Sequence, residues 1–384
     1  MEENIMGKNI HDRIQKLIDK GVIIIDPRQT FIAEEVNLDR VFKGSTLFPG
    51  TRLTGKRTLI GSCAKIGTEG PATIDDSIIA SHAEVASGFL SESTLLSHSH
   101  AGANSHFRSG TLLEEEAFTA HSVGLKQSIL MYSVTLGSLI NLCDVLVSGG
   151  RSRSDHTEIG SGFIHFNFTP WGKNGDKATP SLIGNVTEGL FLDQERIFLG
   201  GLSGIVGPRS IGFGAMTVAG QVIREPVAGS TMHSEVGSRL DKSWSASKVK
   251  FSDKRLKSIH DQNIEFISQL YALKEWYTHV RMKRSHLQRD SELPLVLTGA
   301  IETIQTCIHE RVIRYNSFAK EWSLPLIDEI CLSKDSIDTE FSLDWKLDLN
   351  YTKWIKELTE DEKQKLHHWL NNCVKELKNT LLVV

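Results

Sequence analysis

Aliphatic residues recur every six positions along much of this chain. Leu47, Leu53 and Leu59 set the interval, Ile60 and Ile66 restart it one residue later, and Ile205, Ile211, Thr217 and Ile223 carry it near the far end. Glycine and alanine fill the gaps: Gly50, Gly55, Gly61 and Gly67 early, Gly207, Gly212, Gly214, Ala219 and Gly220 late. A period of six is neither the 3.6 of an amphipathic helix nor the 2 of a half-solvated strand. It is the period of a parallel β-helix, in which each six-residue unit forms one flat side of a coil and sends one aliphatic side chain inward. The small residues fall where the chain must turn, because glycine takes positive φ without steric cost. A single coil cannot bury its own aliphatic face, so coils must stack.

The pattern changes at both ends of this column. Residues 9–20 place Ile10, Ile14, Leu17 and Ile18 on one helical stripe, with Gly21 at the position of a C-terminal cap. A β-branched run over 22–25 ends at Asp26-Pro27, and the six-residue interval follows. It is imperfect over 81–123, which predicts inserted loops there. Residues 167–181, with Pro170, Trp171, Gly172 and Lys173, are too polar for a coil interior and predict an excursion on an outer face. Beyond Pro226 the interval stops. Leu256, Ile259, Ile267, Leu270, Leu273 and Trp276 then repeat at helical spacing, as do Ile301, Ile304, Ile308 and Val312. Thr359 and Glu362 form a capping box ahead of Leu366, Trp369, Leu370, Cys373, Val374 and Leu377. The predicted organisation is an N-terminal helix over 1–21, a β-helix over 22–228 and a helical region over 229–384: a mainly β fold with an α-helical C-terminal part. The helical stripes read as the core of a bundle. Such a bundle would cover the last coil, whose open edge otherwise accepts another strand, or extend a contact between subunits.

Composition narrows the setting. The chain is 40% hydrophobic and 23% charged, with a net charge of −4 at pH 7, ordinary values for a soluble protein. With no Lys/Arg-rich run, a nucleic-acid surface is not expected. Cys63, Cys143, Cys307, Cys331 and Cys373 are scattered without a CxxC pair, so neither a disulfide framework nor a zinc site is indicated. The first residues are charged throughout, and no apolar run of about 18 residues is present to span a membrane. The expectation is a cytoplasmic protein with no metal and no membrane partner.

Three stretches carry a resemblance to a known family. RIQKLIDKGVIIIDPRQTFI (13–32), HFRSG (106–110), and EIGSGFIHFNF (158–168) with VGPRSIGFGAMTVAGQVI (206–223) resemble the acetyltransferase half of a bifunctional bacterial enzyme. That enzyme joins a uridylyltransferase to a glucosamine-1-phosphate acetyltransferase in making UDP-N-acetylglucosamine. The resemblance implies a left-handed parallel β-helix and a homotrimer with active sites between subunits. It also implies acetyl-CoA on the last coils, near Gly207 and Ala219, and a sugar phosphate or nucleotide sugar as the other ligand. Two departures stand beside it. No Gly-rich nucleotide loop followed by Arg and Lys lies near the N-terminus, so uridylyl transfer is not implied. Alignment through Lys126, Gln127 and Ser128 puts Ser138 at the family's catalytic histidine and Asn141 at a substrate-binding tyrosine. In the same alignment Gln127 stands at a substrate lysine, Glu158 at an asparagine and Phe168 at a tyrosine. Arg108 matches the family's sugar-phosphate arginine, Asn167 an active-site asparagine, and Lys173 stands at the offset of a loop lysine.

Acyl transfer from a thioester needs a base of near-neutral pKa, which histidine supplies most naturally. With serine at position 138, the candidates are His165, two residues before Asn167; His156, beside Asp155; and His121, just upstream of Lys126. Each also has a plainer reading. His165 suits a corner bonded to a backbone carbonyl, Asp155-His156-Thr157 suits turn chemistry, and His121 suits a solvated face. Arg108 is the natural partner of a phosphate. Lys173 and Lys177, on a loop with Trp171, suit mobile contact with the same group; Lys126, Ser138, Asn141, Glu158 and Asn167 complete the substrate set. His98, His100 and His106 match no zinc spacing. Two functions follow: transfer of an acetyl group to an amino sugar, or a degenerate relative that binds nucleotide sugars or serves assembly.

Overall fold

The six-residue interval is realised as a stacked column. A computed structural model describes residues 2–166, 178–235, 241, 251–328 and 341–382. In it short strands follow one another round three faces, each pairing in parallel with the coils above and below. On the first face Ile24, Leu47, Ile66 and Val85 lie in register, and the ladder ends where Thr217 meets His233. On the second, Ile32, Leu53, Ile74, Leu90 and Phe107 are aligned. On the third, Ile60, Ile79, Leu95, Leu113, Leu130, Val147, Ile183 and Ile211 are aligned. Most of these side chains are buried in one continuous core, each worth about 1.5–3 kcal/mol relative to exposure. Strands Gly124–Leu130 and Asn141–Val147 continue round the corner between the second and third faces, turning at Gln127 and Asp144. Those two faces are therefore one 16-stranded sheet, and the first is a separate 11-stranded sheet. The fold class is thus a parallel β-helix followed by helices, in agreement with the left-handed winding that the resemblance implied.

The corners are less dependent on glycine than expected. Cys63, His82, His98, Glu116 and Ser133 stack at the corner between the third and first faces with φ between 56° and 62°. Left-handed geometry costs an L-residue roughly 1–2 kcal/mol. Here the backbone N–H groups of His82, His98, Glu116 and Ser133 bond carbonyls of the preceding coil, which offsets much of that.

Residues 81–123 contain no inserted loop, contrary to expectation. Val85, Ala101 and Thr119 follow one another in register. The interval was obscured because Ala83, Ala86, Ser99, Ala101, Ser105 and Thr119 are buried there in place of large aliphatics. The interruptions come later, between the third and first faces. One is the antiparallel pair Gly150–Ser152 and Asp155–His156. The other carries a short helix, α2 (Val186–Gly189). The excursion expected over 167–181 falls mostly on residues 167–177, outside the described residues.

The column begins with helix α1 (Glu2–Asp19), which buries Ile14 and Leu17 against the first coil and ends where Gly21 takes φ +94°. Its last rung is Met232–His233. The C-terminal region contains α3 (Asp253–Trp276), a π-helical turn at Tyr277–Arg281, α4 (Met282–Gln288), α5 (Leu293–Trp322), α6 (Tyr351–Lys356) and α7 (Glu360–Leu382). The capping box forms: Thr359 N–H donates to Glu362 Oε2 at 2.9 Å and Glu362 N–H to Thr359 Oγ1 at 3.3 Å.

These helices lie along the third face, not over the last coil. Outward residues of that face, Leu59, Ile78, Leu112, Ile129, Leu146 and Leu182, share one core with Ile267, Leu270, Val296, Ala300 and Ile304. The face is therefore apolar on both sides, and its strands carry aliphatic pairs, one member inward and one outward. The restart at Leu59-Ile60 is such a pair. Helix α5 fits because four residues of helix rise about 6 Å, close to the ~4.8 Å step between strands. Its successive turns meet successive coils. Gly299 lies against Ile78, Thr303 Oγ1 is 2.9 Å from Thr94 Oγ1, and Cys307 Sγ is 3.0 Å from Gly110 O.

Candidate functional site

The second face places the expected substrate residues side by side. His106, Gly124 and Asn141 are in register, and Lys126 pairs with Cys143. Phe107 and Leu125 point inward, so their neighbours Arg108 and Lys126 point outward on adjacent coils. Arg108 is exposed and donates from Nη2 to Cys143 Sγ at 3.8 Å. Lys126 Nζ lies 3.8 Å from Glu310 Oε1, a residue of α5 that is itself paired with Arg314. Burial raises the Cys143 thiol pKa and Asp144 adds to the shift, while Arg108, Lys126 and Arg314 oppose it. Arg108, Lys126 and Asn141 are therefore gathered, with Cys143 between them.

A second cluster lies at the corner between the first and second faces. Ser138 Oγ is 3.1 Å from His121 Nδ1, one coil away. The Ser138 N–H donates to Ser161 Oγ at 3.0 Å, in the coil beyond. The corner continues through backbone bonds: Leu139 N–H to His121 O, Gly162 N–H to Ser138 O, Leu202 N–H to Ser161 O, Gly220 N–H to Gly201 O. Leu139 is 64% exposed and Leu202 82%. Gly162, with φ +76°, keeps the edge low between them; a Cβ there would lie 3.0 Å from Leu202 Cδ2. Running from His121 towards exposed Ala219, this edge carries small residues between the exposed Leu139 and Leu202 side chains. His121 Nε2 has no hydrogen bond among the described residues.

The other candidates are placed elsewhere. His165 is not at a corner. It pairs with the buried rung residue Ile205, and its Nε2 lies 2.9 Å from Ser181 Oγ. Burial pushes its pKa down to about 4, with Asp144 opposing, so the ring is neutral and its Nε2 is engaged. His156 sits in the hairpin between the third and first faces, its Nδ1 2.7 Å from Arg153 O, the turn chemistry of the plainer reading. Glu158 is on the first face, in register with Thr135 and Phe198, and does not meet Arg108 within one column. Gly207 packs against His165: a Cβ there would lie 2.2 Å from Thr179 O and 2.7 Å from His165 Nε2. Its need for glycine is thus explained by packing. Asn167, Lys173 and Lys177 lie outside the described residues, as do Trp171 and Phe168.

The three early histidines are dispersed: His98 stacks on His82, His100 on Phe118, and His106 tilts against Phe89. They straddle corners, so alternate positions do not share a side. Among the described residues no cluster of His, Cys, Asp and Glu is arranged to hold a metal. Sequence reasoning missed Cys143, Glu310 and Arg314. The last two belong to a helix with no motif, and only the folding of that helix along the column brings them to the edge of the second face.

No protein-family model matches the chain. Among curated proteins it is similar to the bifunctional protein GlmU of Thermotoga petrophila, 28% identical over 218 residues, 56% of this chain and 42% of that one. It is similar also to the bifunctional protein GlmU of Fervidobacterium nodosum, 28% identical over 241 residues, 59% of this chain and 47% of that one. The chain thus spans less than half the length of these relatives. Among solved structures, UDP-N-acetylglucosamine O-acyltransferase (LpxA) from Moraxella catarrhalis aligns with 74% of this chain and 95% of that one, at 14% identity and a TM-score of 0.28. The column is a parallel β-solenoid followed by helices.

Proposed function

We propose that the chain is an acyltransferase of the hexapeptide-repeat type, moving an acetyl group from acetyl-CoA to the amino group of a sugar phosphate or nucleotide sugar. The observation that carries the reading is the His121–Ser138 contact. The family's catalytic histidine is replaced by Ser138, yet an imidazole stands at that place, supplied by the preceding coil. Ser138 orients the ring through Nδ1, leaving Nε2 to take the proton from the attacking amine. Arg108 and Lys126 hold the phosphate, the guanidinium as a two-pronged donor and the ammonium as a point charge. Asn141 offers an amide to the sugar, and Lys173, Lys177 and Asn167 would add to that set. Acetyl-CoA, when bound, supplies the activated acyl carbon, and the corner from Leu139 through Leu202 to Ala219 would hold its arm. With His165 inside the column and His156 in a turn, His121 is the base we assign.

Glu158 can join Arg108 only across a boundary between copies, which supports a homotrimer with the site shared by neighbours. Free thiols at Cys63, Cys143, Cys307 and Cys373 suit a reducing, cytoplasmic setting. No helix among the described residues is long and apolar enough to cross a membrane.

The test is release of free thiol from acetyl-CoA in the presence of glucosamine 1-phosphate and related amino-sugar phosphates. Turnover that needs His121 and whose acceptor KM needs Arg108 supports the reading. Binding of the sugar without turnover of any acceptor would leave the alternative, a nucleotide-sugar-binding or assembly module.

A further inference from the structure

A cleft of about 860 Å³ lies between the column and the helices, on the opposite side from Arg108 and His121. Its column wall is the corner between the third and first faces; its helical wall is the start of α5, the end of α4 and the start of α6. The volume is that of a small-molecule site. The groups in its walls divide sharply by whether they already have partners. The carboxylates are engaged: Glu115 by Arg281, Glu116 by the Tyr132 hydroxyl, Glu292 by Ser62, and Asp290 by the backbone N–H groups of Glu292 and Leu293. Arg284 is also engaged, donating to the carbonyls of Trp345, Lys346 and Leu349. Lys43 and Arg289 line the cleft, and neither side chain forms an ion pair or hydrogen bond among the described residues. Arg289 occupies the left-handed cap of α4, φ 56°, where glycine is usual, and the chain places a guanidinium there instead.

The neutral groups point to hydroxyls on the ligand. Ser81 and Ser97 share one hydrogen bond of 3.1 Å, which leaves a donor and several lone pairs free. From this cleft we infer a second ligand site, for a small organic phosphate bearing hydroxyl groups, with Lys43 and Arg289 taking the phosphate. Because it joins column and helices, its ligand would tighten their contact.

The inference is independent of acyl transfer and is tested without it. Isothermal titration uses the Arg108→Ala protein, which lacks the second-face guanidinium, with glucose 6-phosphate and inorganic phosphate as probes. One glucose 6-phosphate per chain is expected, bound at least tenfold more tightly than inorganic phosphate. Replacing Lys43→Glu and Arg289→Glu together should weaken it at least tenfold, while Lys43→Arg with Arg289→Lys retains it. Absence of binding to the Arg108→Ala protein, or full affinity after the double charge reversal, would overturn the site. Equal affinity for the two probes would overturn the part played by hydroxyls. All the altered residues are exposed, so the fold is not at risk.

Discussion

At the scale of single residues, the site is a matter of which side of a strand a side chain occupies. His121→Ala is expected to lower kcat for acetyl transfer by about 10²–10⁴-fold with little change in KM, the loss typical of a general base. Arg108→Ala should instead raise the acceptor's KM. Steady-state kinetics separate the two, and a His121→Ala enzyme with normal kcat would remove the base we assign. The positions of Arg108 and Lys126 were legible in the sequence because a match to a family motif fixes register, and register fixes side. The histidines were not. His165 stood out for lying two residues before Asn167, but it falls on the inward register. His121 was one of three candidates, and nothing in the linear sequence says that it reaches Ser138, since contacts between coils follow from coil lengths.

At the scale of elements, the tail's docking is the feature that six-residue spacing conceals. A run such as Leu59-Ile60 or Ile129-Leu130 reads as a slip in the interval; in the fold it marks a face covered from outside. The change of period announced helices after the column, but the last rung, Met232–His233, lies beyond the expected boundary at 228, and the direction in which the helices fold depends on distant partners. Helix α5 approaches so closely that a Cβ on Gly299 would stand 1.7 Å from Ile78 Cδ1. Gly299→Ala should cost about 1–3 kcal/mol of stability, read from urea midpoints. Combining it with Ile78→Ala should cost less than the sum of the two changes.

The same interface carries a buried polar group with a pH signature. Glu114 accepts from the Tyr277 hydroxyl at 2.7 Å and the Tyr132 N–H at 3.1 Å, with Arg281 and Glu115 beside it. Burial, the leading cause, raises its pKa to about 7 from an ordinary 4.5, with Arg281 opposing. The folded state therefore holds this proton more tightly than the unfolded chain does. The resulting stability is fully present below pH 4.5 and is lost as pH rises through about 7. Thermal midpoints should fall over that window, and Glu114→Gln should flatten the slope; an unchanged slope would show that another group sets it.

At the scale of the whole molecule, the tail decides which surfaces remain for other copies. With the third face covered, the homotrimer we propose would draw on the first and second faces and the corner between them, where Leu139 and Leu202 are exposed. Leu202→Glu is expected to convert that proposed trimer to monomer in multi-angle light scattering while leaving the helical signal unchanged. A protein already monomeric would remove the shared site.

The outer cover of an early coil is encoded far downstream. Thr94 meets Gly299 and Thr303 across separations of 205 and 209 residues. At ribosomal rates of roughly 5–20 residues per second, that is a delay of about 10–40 s. Throughout it the nascent column presents a bare aliphatic wall, open to chaperones and to neighbouring chains on the same message. How quickly translation finishes should therefore bear on the yield of this protein more than on that of a column whose outer walls are polar.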